Sequence, residues 1–419
     1  EAAVKNRLPL ENFGFWLRGL PATGEAKMKE SGVRTLESMD DSGWHLKYGD
    51  FMQLGTYAIP EEIDITGKSL EVSLEMVRGE PGYLTSTCSH ELNTGESSAA
   101  AGAPSAIAGN TASAPAPVGE TQVDGAAVVA NLVPANGEAP LPQWVNDKEF
   151  CDQLKKIHGT IPEPRVGLYG PDSMMWKISR PAISGAWGAG RALLLQTAHP
   201  WVTAGIDEHS IVREDPMLRA RRTFINIFTM IYGSMPQVMA SANLVHKTHN
   251  AVTGEIPYEA GAFKKHSEYR ANEVYAMIWV HATLWDTLVR MYEEMEEPLT
   301  REEKDRFYEE TKLFAMLFGI PRDALPPDWD SFMAYNQAMW ESPQLTVTPA
   351  ARKLKEDLFH ARSLWLVVPL YAQEIITARN LPPRIREGYG MDYGWWEKLN
   401  YTMFKSSAIL TNWVLPKSM

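Results

Sequence analysis

The sequence predicts a mainly α-helical protein from residue 144 to its end, and three observations carry that prediction. Helix-start signals recur through the region, apolar residues follow helical spacing over long windows, and strand-like alternation is scarce there. The chain has 419 residues, suited to one large domain or two medium ones. With 44% apolar and 22% charged residues it has the composition of a folded protein rather than a disordered one.

Residues 1–92 are mixed in composition and form an N-terminal extension of unknown role, expected to be largely irregular. Trp16 and Trp44 lie in it, and SLEVSLEMV (69–77) alternates as a strand does. Residues 93–143 are dominated by Ala, Pro, Gly and Ser, so they bury too little apolar area to fold alone and read as a linker or arm. Ordering such an arm needs a clamp, and a partner protein is the expected one.

From residue 144 to 419 the helices follow in order. Asp215-Pro216 supplies an N-cap and a proline at the first helical position, opening a helix that runs towards Tyr232-Gly233. A second helix is expected from about Pro236 to Thr253-Gly254. Val274, Ile278, His281, Trp285, Leu288 and Tyr292 share one face of a third. Thr300-Arg-Glu-Glu303 is a capping box, and Gly319 followed by Pro321 closes the helix that it opens. Thr348-Pro349 opens another. Leu364–Thr377 carries one charge, Glu374, and reads as a buried helix with a kink at Pro369.

Several functions are excluded by what the chain lacks. With 40 basic against 52 acidic residues the net charge is −12, and no extended basic face suggests nucleic acid. Cys88 and Cys151 are too few for a disulfide framework, and no CxxC or Cys/His cluster suggests structural zinc. Metal chemistry therefore falls to histidines or carboxylates. There is no GxGxxG and no P-loop, and HEL at 90–92 is not HExxH. No G-x-S-x-G elbow occurs; Ser184 reads as part of a Gly/Ala-rich turn, and Asp172 and Asp207 stand apart in sequence.

The longest uncharged run, Phe224–Val245, is long enough to span a bilayer. Its seven interspersed polar or proline residues, Asn226 to Asn243, and the arginines before it favour a buried core or cofactor helix, with a membrane-touching surface as the alternative. A chain that starts at Glu1 with few cysteines suggests a processed organellar protein, mitochondrial in the first instance, with secretion or the endoplasmic reticulum as alternatives.

The stretch SANLVHKTHNAVTG (241–254) places two histidines three residues apart on one helix. Read alone, they are metal or haem ligands, or else polar residues complementing a helix end.

Taken together, LLLQTAHPWVTAGIDEHSIVREDPMLRARRTF (193–224), IYGS, VHKTHNAVTG, IWVHATLWDTLV (278–289), FAMLFGIP and LPPRIREGYG (381–390) carry a resemblance. In order and spacing they resemble the catalytic domain shared by bacterial latex-clearing rubber oxygenases and the fungal MpaB oxygenase, over about residues 165–390. The resemblance implies a globin-like helical domain that holds haem b, with the iron on a helix histidine and an R-x-x-K-T motif on the other side. That motif reads Arg219-Ala-Arg-Arg222-Thr223 here, and the iron-binding position falls on His249. Arg219, Arg222 and Thr223 would then line the distal or propionate side, with His246 beside the iron ligand. Arg222 stands where the rubber enzymes place a lysine, and because arginine keeps its proton the distal side is expected to be open or water-filled. His199 and His209 match too and are expected to make structural hydrogen bonds, while His281 is expected in the core.

The implied activity is oxidation or cleavage of an apolar, isoprenoid-like substrate by dioxygen. The alternative is an accessory or structural subunit of a larger membrane or respiratory complex that reuses the oxygenase fold, with residues 1–143 touching neighbouring subunits.

Overall fold

Helices dominate from Gly125 onward in the computed structural model, which describes residues 26–30, 36–41, 43–54, 57–66, 71–75, 88, 124–161, 167–209, 216–361 and 363–414. Ahead of them lies one sheet of five antiparallel strands in sequence order, β1 (Lys27–Glu30), β2 (Leu36–Asp41), β3 (Trp44–Leu54), β4 (Tyr57–Thr66) and β5 (Glu71–Glu75). β5 is the strand predicted from alternation at 69–77. The other strands have short alternating runs that only pairing completes: Met39 stands opposite Leu46, and Leu46 opposite Ile65, so one face is apolar and buried. Trp16 lies outside the described residues.

Helix α1 (Gly125–Leu132) lies within the low-complexity run, capped by Asp124. The Gln344 side-chain amide donates to the Leu132 carbonyl at 3.2 Å, so the described end of the arm is held by the helical region of its own chain. Residues 93–123 lie outside the described residues.

Next come α2 (Asp147–Thr160), α3 (Met174–Ser179), α4 (Ala182–Thr197) and α5 (Pro200–His209). Ser184, expected in a turn, is a buried residue of α4. The glycines that suggested a turn serve close packing instead. A Cβ on Gly188 would come 2.6 Å from Thr287 Cγ2, and one on Gly190 would come 2.2 Å from Thr377 Oγ1. Helix propensity is given up there so that two further helices can lie against α4.

Those two helices are α8 (Val274–Met295) and α12 (Val367–Asn380). Between α5 and α8 run α6 (Pro216–Tyr232), α7 (Met235–Asn250) and a two-stranded ribbon, β6 (Thr253–Glu255) with β7 (Glu268–Arg270). The uncharged run is thus two helices broken at Gly233-Ser234, and among the described residues no helix is long and apolar enough to cross a membrane. Met230, Ile231, Met235, Val238, Met239 and Ala242 of that run are buried in the main core.

The remaining helices are α9 (Arg301–Met316), α10 (Trp329–Glu341), α11 (Pro349–Phe359), α13 (Pro383–Gly388) and α14 (Trp395–Val414). α9 has the predicted capping box of Thr300 with Glu303, and Gly319 beyond it has φ +80°. Thr348 caps α11 as expected. The prediction for residues 364–377 needs correcting. A short 3-10 turn (Leu364–Leu366) precedes α12, and Leu364, Val367, Val368 and Tyr371 are exposed, so only the second half of this segment is buried. Pro369 falls in the first turn of α12, where a missing N–H breaks no helical bond, so no kink is required.

Candidate functional site

α6 and α7 pack as an antiparallel pair. The Ser234 backbone N–H donates to Gln237 Oε1 at 2.8 Å where the second helix starts, and Ser241 Oγ reaches Asn226 Oδ1 at 3.0 Å between the two. α7 ends at Asn250, not at Gly254. Gly254 is instead a strand residue of β6 opposite Tyr269, whose hydroxyl would lie 2.5 Å from any Cβ there. The two histidines therefore occupy the last turn and a half of α7.

They have different surroundings. His246 is 3% exposed, stacked on Phe150 with ring centroids 4.0 Å apart and planes 3° from parallel. Its Nε2 lies 2.8 Å from Asp147 Oδ1. The Asn250 amide donates to the same Asp147 oxygen at 3.2 Å, and the Asn272 amide donates to Asn250 Oδ1 at 2.5 Å. This chain ties the end of α7 to the start of α2 and to the entry of α8.

His249 is half-buried and tilted against Phe318, with centroids 6.2 Å apart. It lines a cavity of about 520 Å³ together with Trp144, Asn146, Asp147, Lys148, Asn250, Arg270 and their neighbours. The Arg270 guanidinium lies over the Trp144 ring at 4.7 Å, and Lys148 pairs with Asp152 at 2.8 Å. The wall thus combines an imidazole, two cations, the Asp147 carboxylate, three asparagines and one large aromatic ring, one face of which Arg270 covers. The two cations can meet the carboxylates of a ligand, while Asp147 is held by His246 and Asn250.

The other residues singled out from the sequence lie elsewhere. Arg222 is exposed, with its carbonyl accepting from the Asn226 side chain at 3.1 Å, and Thr223 is half-buried. Arg219 lies on α6, and its side chain is outside the described residues. Neither Arg222 nor Thr223 is in the cavity lining described above. His209 Nε2 meets the Thr253 carbonyl at 3.1 Å and the Tyr269 hydroxyl at 3.2 Å, a structural role as expected. His281 donates through Nε2 to the Thr311 carbonyl at 2.8 Å within the core, also as expected. His199 is buried beside Phe263 and Trp201. Asp147, Asn250, Asn272, Arg270 and Trp144 were missed from the sequence. A legible signal existed for the first: Asn146-x-x-Glu149 is a capping box that places Asp147 at the head of α2.

Burial holds His281 neutral, with its pKa pushed down to about 4, and that of His199 down to about 3. A histidine whose folded pKa is depressed stabilises the fold above its unfolded value, near 6.5, and that stability is lost as pH falls towards the folded value. Between those pH values each such group steepens the acid loss by about 1.4 kcal/mol per pH unit. His281→Gln keeps a donor for Thr311 but does not titrate. Its unfolding free energy is expected to fall less steeply than that of the wild type between pH 6.5 and pH 4, by roughly that slope. Parallel curves in a denaturant titration at four pH values would contradict this.

The two cysteines form one disulfide, Cys88–Cys151, anchored on α2. Residues 1–78 match the pattern of the outer membrane lipoprotein LolB. Two relatives are the outer-membrane lipoproteins LolB of Pseudomonas putida F1, 33% identical over 79 residues (19% of this chain, 38% of the relative), and of Coxiella burnetii, 29% identical over 68 residues (16% and 32%). The chain therefore spans under two fifths of the length of these relatives. The expectation of a mitochondrial protein is corrected by this segment, which resembles a bacterial outer-membrane lipoprotein, and the disulfide is of a kind that persists in oxidising compartments. Few cysteines and a start at Glu1 do not distinguish the two settings. No solved structure matches the chain. Residues 176–413, more than half of the chain, match the family described as ER-bound oxygenase mpaB/B'/Rubber oxygenase, catalytic domain. On the length of that match and the motifs within it, the chain belongs to the MpaB and rubber oxygenase catalytic-domain family.

Proposed function

We propose that this protein is a haem b-dependent oxygenase of the bacterial envelope, with His249 as the iron ligand and an apolar substrate. The observation that carries the reading is the meeting of two facts at one residue. His249 is the position to which the family resemblance assigns the ligand, and its ring borders the 520 Å³ cavity. Arg270 and Lys148 are placed to take the carboxylates of such a group, and Trp144 and Val145 supply apolar contact. When bound, the haem would supply the activation of dioxygen.

The chain's own residues hold and orient. The Asp147, His246, Asn250 and Asn272 chain fixes the last turn of α7, and thereby the direction in which His249 points. His246 is itself engaged by Asp147 and Phe150, so it acts as a positioning residue beside the ligand. Arg219, Arg222 and Thr223, on the neighbouring helix, are the groups that the family resemblance assigns to the distal or propionate side, although Arg222 and Thr223 do not line this cavity. The LolB-like segment supports residence at the outer membrane.

Absorption spectra of the native protein, as isolated and after dithionite, test this proposal. The wild type is expected to show a Soret band, and His249→Ala is expected to lose or shift it while keeping its helical circular dichroism. His246→Ala is expected to keep the band. A colourless wild type, or an unaltered band in a folded His249→Ala, overturns the reading.

A further inference from the structure

Two helices leave apolar stripes in water. On α12 and the turn before it, Leu364, Val368 and Tyr371 are 92%, 64% and 41% exposed, at spacings of four and three residues that align them on one face. On α14, Trp396, Leu399 and Met403 are 50%, 47% and 58% exposed, at spacings of three and four, and Trp395 beside them is 75% exposed. The two helices pack on each other, with the rings of Tyr371 and Phe404 6.3 Å apart, so the stripes adjoin. The opposite face of α14 is the packed one: Tyr401 is buried with Ile375 and Ile376 of α12. Scattered exposed apolar residues are ordinary, but two aligned stripes on neighbouring helices mark a surface that something covers.

We infer that this face rests on a lipid bilayer, with α14 lying in the headgroup region. Two features of the chain favour a membrane surface over a protein partner, and charge does not oppose it. Paired tryptophans open α14 and a tyrosine closes the α12 stripe, and these are the side chains that settle at a membrane–water boundary, ring inward and polar tip outward. Charge does not oppose the contact: Arg379 stands against Glu374 on α12 and Lys398 against Glu397 on α14, while Lys405 is paired with Glu294 at 3.4 Å, so the two helices are balanced in a chain of net charge −12. Finally, α14 has an apolar exposed side with a packed side opposite, the pattern of a helix lying on a bilayer, and among the described residues no helix is suited to cross one.

The inference deepens the proposed residence at the outer membrane by naming the surface that makes the contact.

The test is sedimentation of the full chain with sucrose-loaded vesicles of phosphatidylethanolamine and phosphatidylglycerol, comparing the wild type with Val368→Glu/Trp395→Glu. Both positions are exposed, so the double variant is expected to fold, as its circular dichroism would record. Its half-binding lipid concentration is expected to rise at least about tenfold, because binding strength scales with the apolar area inserted. Tryptophan emission of the wild type is expected to shift to the blue on binding. A wild type that stays in the supernatant overturns the inference. Equal partitioning of the variant also overturns it but leaves membrane residence standing, since the contact then lies elsewhere in the chain. Self-association of the wild type in sedimentation velocity, abolished in the variant, replaces the bilayer with a second copy of the chain.

Discussion

Asp286→Ala is expected to destabilise the helical region by about 3–5 kcal/mol, enough to lower its unfolding midpoint by on the order of 10 °C. Arg191 lies at the centre of α4 with its side chain 1% exposed, and each of its three nitrogens has a fixed acceptor. Nη2 donates to Asp286 Oδ2 at 2.6 Å, Nη1 to Thr287 Oγ1 at 2.5 Å, and Nε to the Asn380 carbonyl at 2.8 Å. One guanidinium thereby ties α4 to α8 and to the end of α12, the contacts for which Gly188 and Gly190 gave up their side chains. Removing the carboxylate leaves a desolvated cation without its counter-charge, and that is why the cost exceeds that of an ordinary hydrogen bond. The double replacement Arg191→Met/Asp286→Leu is expected to recover most of the loss, because it removes both charges together. Thermal and urea unfolding of the three proteins separate these cases. A loss below about 1 kcal/mol in Asp286→Ala would mean that water reaches the guanidinium.

Opening the disulfide should cost nearly as much. Cys88 and Cys151 are 63 residues apart, and closing a loop of that length in the unfolded chain corresponds to about 4 kcal/mol on the chain-entropy account. The enclosed segment includes the Ala/Pro/Gly/Ser-rich arm, which has little structure of its own to restrict it when unfolded. Cys151→Ser is expected to lower stability by that amount, and the reduced wild type is expected to behave in the same way. Native protein is expected to show no thiol to a colorimetric reagent until it is both unfolded and reduced, because these two cysteines are the only ones in the chain. The consequence extends to the candidate site. Cys151 sits one turn beyond Asp147 on α2, and Phe150 between them stacks on His246, so loosening α2 loosens the last turn of α7. Two free thiols in the folded protein, with stability indifferent to reductant, would refute this.

The helical class was legible because helix ends carry local signals. Thr300 with Glu303 and Thr348 with Pro349 satisfy orphan backbone groups within a few residues, and both helices start where the sequence places them. The stripe from Val274 to Tyr292 was legible for a similar reason, since one face of α8 meets one core throughout. Other stretches carried the wrong local signal. Glycines 188 and 190 suggested a turn, yet what they record is the approach of two other helices, which no local window contains. Leu364 to Tyr371 looked buried because apolar composition does not say which side of a helix the rest of the chain covers.

The candidate site divides along the same line. By itself the sequence determined the family and the helix that carries His246 and His249, the histidines proposed for the site. Only the tertiary structure decided which histidine is clamped and which borders a cavity. Asp147 lies 99 residues from His246, and Arg270 and Trp144 come from segments distant in sequence that meet where Trp144 bridges Glu273. Spacing on one helix fixes the angle between two side chains, but what each one faces depends on distant segments brought together by burial of the core.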